Sequence, residues 1–105
     1  MMLNDQKEIS SWAENTFGEA SSNARVAARA NEEMAELLRA LTSDDNHPKA
    51  AEEVADIVIV LCRLAQRMGF DIESEIDRKM EINRKRQWNV DKDGHGYHVR
   101  DKSNG

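Results

Sequence analysis

Two pairs of acidic residues are the part of this sequence whose types and spacing could do chemistry. The first pair is Glu33 and Glu36, and the second pair is Glu53 and Asp56. The members of each pair are three residues apart, which on a helix places both carboxylates on one face. The second pair interrupts the most apolar segment of the chain, where an uncompensated carboxylate is costly and crowded like charges add to that cost. A divalent cation bound between the pairs would offset both effects.

The donor atoms indicate which metal would suit such a site. Carboxylate oxygens are hard ligands and favour Mg²⁺, with Mn²⁺ as a substitute. A di-iron centre would need a histidine three residues after a helical glutamate, and none of His47, His95 and His98 has that spacing. Acidic pairs also occur on solvated helix faces, so the spacing by itself supports a metal site and a plain charged surface about equally.

A basic segment near the C-terminal end could bind phosphate groups. It contains Lys79, Asn83, Arg84 and Arg86. Lys79 and Asn83 are four residues apart, so their ammonium and carboxamide groups could hold a polyphosphate once a metal neutralises part of its charge. The alternative is an ordinary helix end, where basic residues complement the helix dipole.

Two aromatic residues near the beginning of the chain, Trp12 and Phe17, could form a pocket for a nucleotide base. Aromatic residues at helical spacing more often belong to the hydrophobic core. Stacking surfaces and core surfaces look alike in sequence, and both interpretations stay open.

Helical periodicity dominates the sequence and predicts four helices to position these residues. They span approximately residues 5–15, 22–41, 48–68 and 72–87. The short polar loop between the second and third helices makes them antiparallel neighbours, so that the four carboxylates would converge between them. The third helix is apolar nearly all round and is expected to be the central, most buried element. The segment from about residue 89 to 105 is predicted to be a loop or flexible tail.

The composition fits a single domain spanning residues 1–105. A net charge of -5 argues against broad nucleic-acid binding, which needs a basic surface. The longest apolar run is residues 57–62, far short of the ~20 residues of a membrane span. The single cysteine, Cys62, and the polar start of the chain lead us to expect a cytoplasmic protein without membrane association. Because a chain this short buries only about two-thirds of the surface that it exposes when unfolded, an oligomer is expected.

The sequence around the acidic pairs and the basic segment resembles that of the MazG-like nucleotide pyrophosphohydrolases. These proteins form an all-α superfamily of NTP pyrophosphatases. The acidic pairs and residues 50–57 are similar to the family's second and third helices. Residues 79–88, followed by the glycines and Tyr97-His98 of residues 93–98, are similar to the C-terminal motif of its small single-domain members. Trp12 with residues 16–18 resembles their first-helix segment. The resemblance covers roughly residues 8–99.

The resemblance implies an all-α, four-to-five-helix bundle that is completed by dimerisation, as a homodimer or a homotetramer. It implies that a metal-bound water attacks the α-phosphorus of a nucleoside triphosphate, preferably a dNTP, and that pyrophosphate is released. The implied physiological role is cleansing of the nucleotide pool. Glu36 is the favoured proton acceptor, and Glu53 is expected to be required for turnover. The implied Mg²⁺ ligands are Glu33, Glu36, Glu53 and Asp56, and the implied triphosphate contacts are Lys79 and Asn83, with Arg84 or Arg86.

Two other functions stay open. Phosphoribosyl-ATP pyrophosphohydrolase shares the helix-borne carboxylates of the superfamily, although Trp88 and Tyr97-His98 favour the first function. A non-catalytic helical interaction module would have kept the fold without the chemistry, and the intact acidic positions argue against it.

Overall fold

The structure is a computed structural model that describes residues 4–43, 47–91 and 93–99. The described residues form four α-helices followed by two short strands. The helices are α1 (Gln6–Phe17), α2 (Asn23–Ser43), α3 (His47–Met68) and α4 (Ile72–Lys85), and the strands are β1 (Trp88–Val90) and β2 (Gly96–His98). This architecture confirms the predicted all-α class, and each helix boundary lies within two residues of its predicted position.

Capping residues determine where the helices begin and end. The Asp5 carboxylate accepts a hydrogen bond from the backbone N–H of Glu8 (2.9 Å) at the start of α1. The Ser22 hydroxyl accepts one from the backbone N–H of Arg25 (3.0 Å) at the start of α2. Gly69 follows α3 with a φ of 80°, a left-handed conformation that glycine adopts without a Cβ clash.

The chain divides into two compact units, Met1–Ile72 and Glu73–Gly105. In the first unit, α3 contacts both α1 and α2. Small side chains form most of the core and let the helices approach closely. The buried apolar residues are Ala13, Val26, Ala40, Ala50, Cys62 and Ala65.

α3 is central in the first unit, but one of its faces is uncovered, so its apolar circumference is only partly buried. Val54, Val58 and Leu61 are exposed. They recur at i, i+4 and i+7 and therefore form one apolar stripe along the helix. The reason is geometric, because α1 and α2 cover only part of the circumference of α3.

A buried polar side chain joins the start of α1 to the end of α3. The Gln6 side-chain amide donates hydrogen bonds to Gln66 Oε1 (3.1 Å) and to the carbonyl of Phe70 (2.7 Å). Its side-chain oxygen accepts one from the backbone N–H of Ile72 (2.7 Å). Because its donor and acceptor groups are both used, the burial of Gln6 is compensated.

In the second unit, β1 and β2 form an antiparallel hairpin where a loop was predicted. The register pairs Trp88 with His98. The Asp91 carboxylate accepts hydrogen bonds from the backbone N–H groups of Asp93 and His95 (both 2.9 Å), and these bonds close the turn. The strands are three residues long, too short for an alternating pattern to be recognised in the sequence.

The last part of the predicted tail, residues 100–105, lies outside the described residues. Within the described ranges, no helix combines the length and the apolarity needed to cross a membrane.

Candidate functional site

Three of the four predicted acidic residues meet between α2 and α3. Glu33 lies on α2, and Glu53 and Asp56 lie one turn apart on α3. One carboxylate oxygen from each of the three lies within 4.8 Å of the others. Glu33 and Glu53 are buried, whereas Asp56 is exposed. We call these three residues the carboxylate cluster; its exposed side leaves room for further ligands.

Each buried carboxylate of the cluster has one paired and one unpaired oxygen. Glu33 Oε1 lies 2.6 Å from Arg29 Nη2, and Glu53 Oε1 lies 2.9 Å from Lys49 Nζ. The Oε2 atom of each is buried and has no hydrogen-bond partner within the described part of the chain. An unpaired buried oxygen is costly, and a cation would supply the missing partner. The donor set therefore fits a hard divalent ion such as Mg²⁺ or Mn²⁺.

The pKa values of the two buried carboxyl groups are shifted in opposite directions. Burial, together with the neighbouring Glu53 carboxyl group, raises the pKa of Glu33 to about 7, and Arg29 opposes the shift. The Lys49 ammonium holds the pKa of Glu53 below its ordinary value, and the neighbouring Glu33 carboxyl group acts in the same direction. Glu36 also lowers the pKa of Glu53, so its carboxyl group lies close to the cluster. A cation that binds here must displace the proton held by Glu33.

A cavity of about 570 Å³ joins the cluster to the two aromatic residues. Glu33 and Asp56 line it together with Trp12 and Phe17. The two rings meet edge to face, with centroids 5.4 Å apart and planes at 85°. Trp12 is 55% exposed and Phe17 is 67% exposed, so both belong to the cavity wall and not to the core. The first unit therefore holds an aromatic surface and two carboxylates of the cluster in one cavity.

Three arginines that the sequence patterns did not single out also line this cavity, namely Arg25, Arg29 and Arg63. Arg63 Nε donates to Glu14 Oε1 (3.2 Å), and its Nη2 donates to the carbonyl of Gly18 (2.9 Å). This guanidinium therefore fixes the end of α1 against α3. The sequence signal that could have identified Arg63 is a basic residue within α3, the most apolar helix.

The predicted triphosphate contacts lie in the second unit. Lys79, Asn83 and Arg84 are on α4, and Arg86 follows it. The Asn83 backbone carbonyl accepts a hydrogen bond from the Trp88 indole N–H (2.9 Å). Asn83 Oδ1 is buried and has no hydrogen-bond partner among the residues that the structure describes. The role of these four residues in binding phosphate stays a prediction.

Comparison with known proteins places this arrangement in a family. The sequence profile of the MazG-like family matches residues 31–99. A protein of Salmonella phage PMBT28 named dATP/dGTP diphosphohydrolase is 38% identical over 96 residues. That match covers 91% of this chain and 31% of the phage protein, so the chain spans about a third of the length of this relative.

A solved structure with a similar fold comes from cyanophage S-2L. It is a MazG-like pyrophosphohydrolase bound to dGDP and three catalytic Mn²⁺ ions per active site. The two folds align with a TM-score of 0.73 and 29% sequence identity, covering 92% of this chain and 91% of the cyanophage chain. The family profile, the phage relative and the shared helical fold confirm the resemblance seen in the sequence: this chain belongs to the MazG-like family.

Proposed function

We propose that this chain hydrolyses deoxynucleoside triphosphates at the α-phosphorus and releases a monophosphate and pyrophosphate. The proposal rests on the cavity in which two exposed aromatic rings lie beside the carboxylate cluster. Within that cluster, the buried Oε2 atoms of Glu33 and Glu53 have no hydrogen-bond partner among the described residues. The relatives support the same substrate class, since one is named a dATP/dGTP diphosphohydrolase and the other holds dGDP.

The carboxylate cluster would hold the metal, with Glu36 completing the set from α2. A divalent ion bound there would activate the attacking water and neutralise charge on the phosphate oxygens. Mg²⁺ suits these oxygen ligands, and Mn²⁺ is the ion found in the cyanophage relative. Of the four carboxylates, we assign the role of proton acceptor to Glu36, because it is not one of the three whose oxygens converge.

Trp12 and Phe17 would hold the base of the nucleotide. Their exposed edge-to-face pair offers apolar surface to a planar ring within the same cavity as the carboxylates. The phage relative is named for dATP and dGTP, and the cyanophage relative is bound to dGDP. We therefore propose dATP and dGTP as the first substrates to test. The residues Lys79, Asn83, Arg84 and Arg86 would contact the triphosphate.

The reaction can be tested by product analysis. The purified chain is incubated with Mg²⁺ and, separately, with dATP, dGTP, the other NTPs and dNTPs, and phosphoribosyl-ATP, with EDTA as the metal-free control. Monophosphate and pyrophosphate in equal amounts are expected from dNTPs. Orthophosphate released from the γ position would contradict the proposal. Turnover of phosphoribosyl-ATP alone would favour the sibling activity, and no turnover at all would favour a non-catalytic module.

Replacement of one buried ligand provides the matched mutational test. We expect Glu53→Gln to reduce turnover at least about 100-fold, because the amide removes an anionic ligand while keeping the side-chain shape. Glu52→Gln, at the exposed neighbouring position, is the control and should retain activity. Circular dichroism and thermal unfolding must show that both variants fold. An active Glu53→Gln variant would remove Glu53 from the site.

We further propose that the protein acts as a homodimer or a homotetramer. The stripe of Val54, Val58 and Leu61 on α3 is exposed in the single chain. On α2, Met34, Leu38 and Leu41 repeat the same i, i+4, i+7 spacing and are exposed as well. Burial of both stripes against a second copy would remove a large apolar surface from water.

A further inference from the structure

The two buried carboxylates of the cluster are held in the same way by different helices. Arg29 precedes Glu33 by four residues on α2, and Lys49 precedes Glu53 by four residues on α3. In each case the cation contacts Oε1, at 2.6 Å and 2.9 Å respectively. In each case Oε2 stays buried without a hydrogen-bond partner among the described residues. The i−4 spacing puts each cation on the same helix face as its carboxylate.

The two members of each pair differ sharply in exposure. The side chains of Arg29 and Lys49 are 54% and 55% exposed, whereas those of Glu33 and Glu53 are 6% and 2% exposed. Solvent therefore screens the charge of each cation, and its repulsion of a metal ion within the cluster is weak. The short contact to Oε1 is not weakened in the same way, because it reaches a buried atom. We therefore expect the orienting effect of each cation to exceed its electrostatic repulsion.

We propose that Arg29 and Lys49 are positioning residues that each hold one oxygen of a metal ligand and thereby direct the other oxygen into the cluster. The inference rests on the proposed metal site. A carboxylate held in this way does not lose rotational freedom when the ion binds, so the ion binds more tightly. Arg29 also contacts Glu32 Oε2 through Nη1 (2.7 Å), so its planar guanidinium is fixed at two points.

Binding of Mn²⁺ alone, without nucleotide, tests this role separately from catalysis. The free Mn²⁺ ion is followed by electron paramagnetic resonance during titration of the full chain. We expect Arg29→Gln and Lys49→Gln each to weaken Mn²⁺ binding about tenfold or more. Lys49→Arg should restore most of the affinity, because the guanidinium also reaches Glu53. Arg29→Lys should restore only part, because an ammonium lacks the planar fork that contacts both glutamates.

Arg78→Gln is the matched control. It removes an exposed Arg–Glu pair on α4, in which Arg78 Nη2 lies 3.0 Å from Glu75 Oε2, and it should leave Mn²⁺ affinity unchanged. Unchanged or tighter Mn²⁺ binding by Arg29→Gln and Lys49→Gln would overturn the positioning role while leaving the metal site in place. An unaltered chain that binds no Mn²⁺ would overturn both. If Arg29→Gln fails to fold, the comparison of Mn²⁺ affinity between Lys49→Gln and Lys49→Arg tests the positioning role.

Discussion

Within the carboxylate cluster, Glu33 is subject to two opposing influences. Burial and the neighbouring Glu53 favour its neutral form, whereas the Arg29 guanidinium favours its ionised form. Burial prevails, and the pKa of Glu33 rises to about 7 from an ordinary value of 4.5. A proton is thus held near neutral pH in the place where a cation would bind, so proton and metal compete for the same oxygens.

This competition predicts opposite effects of pH on the metal-free and metal-bound protein. The folded chain binds the Glu33 proton more tightly than the unfolded chain does, so this group stabilises the metal-free fold fully below pH 4.5. That contribution is lost as the pH rises through about 7. Mn²⁺ affinity should instead increase with pH, by up to about tenfold per unit below the pKa, because one proton is released.

Thermal unfolding in EDTA between about pH 5.5 and 8 measures the first effect, with Glu33→Gln as the reference that has no proton to lose. We expect the unaltered chain to lose stability relative to Glu33→Gln as the pH rises. Titration of Mn²⁺ over the same range measures the second effect. A stability difference between the two chains that does not change with pH would show that the pKa of Glu33 is not raised.

At the scale of elements, the segment between α1 and α2 is held against α3 by a small ionic network. Glu14 Oε1 accepts hydrogen bonds from Arg63 Nε and Arg67 Nη1, both at 3.2 Å. The same two arginines reach the carbonyls of Gly18 (2.9 Å) and Ala20 (3.4 Å). The network holds the pKa of Glu14 below its ordinary value, chiefly through the hydrogen bond from Arg63. The aromatic wall of the cavity is thereby attached to the helix that carries two of the acidic residues.

Gly18 is the point where this segment leaves α1, and its backbone conformation predicts a cost of substitution. Its φ is 79° and its ψ is 175°, a region that is populated almost only by glycine. No atom lies within 4 Å of a Cβ built at this position, so any cost comes from the backbone alone. We expect Gly18→Ala to lower the free energy of unfolding by about 1–3 kcal/mol in urea titrations.

Gly96→Ala is the control for this effect. The φ of Gly96 is not in the left-handed region, and an added Cβ would meet Trp88 Cε3 at an ordinary 3.6 Å. The control should therefore cost much less than Gly18→Ala. Equal effects of the two substitutions would contradict the role assigned to the Gly18 conformation.

At the scale of the whole molecule, the distribution of apolar surface is the feature that bears on association between copies. The core of the first unit contains mostly small residues, whereas large apolar side chains of α2 and α3 are exposed. A short chain cannot bury every apolar side chain around one helix, because it has too few elements to surround it. The proposed association of copies would cover the stripes on the two helices.

A charge introduced into the α3 stripe should therefore separate the copies. We expect Val58→Glu to shift the sedimentation coefficient from that of an oligomer to that of a monomer, because a carboxylate would be buried without a partner in the interface. Ser11→Glu adds the same charge at an exposed position of α1 and should leave the oligomer intact. Association of Val58→Glu to the same extent as the unaltered chain would place the interface elsewhere, and a monomeric unaltered chain would contradict the proposed oligomer.

Local sequence patterns were sufficient to predict where the helices lie. Asp5 caps the start of α1, Gly18 follows its end and Gly69 ends α3, because caps and left-handed turns depend on a few neighbouring residues. The hairpin of β1 and β2 was missed because its strands are short and its turn depends on one side chain, Asp91, that binds backbone groups. The buried amide of Gln6 was missed too, because its partners lie more than 50 residues away along the chain.

The sequence by itself determined that acidic pairs lie on two neighbouring helices, because residue spacing and helical period are properties of the local chain. Only the tertiary structure decided that Glu33, Glu53 and Asp56 meet, and that Glu36 is not part of this group. It also decided that Trp12 and Phe17 face the cavity instead of the core. These outcomes depend on how α1, α2 and α3 rotate about their axes when they pack, and the period of a helix does not specify that rotation.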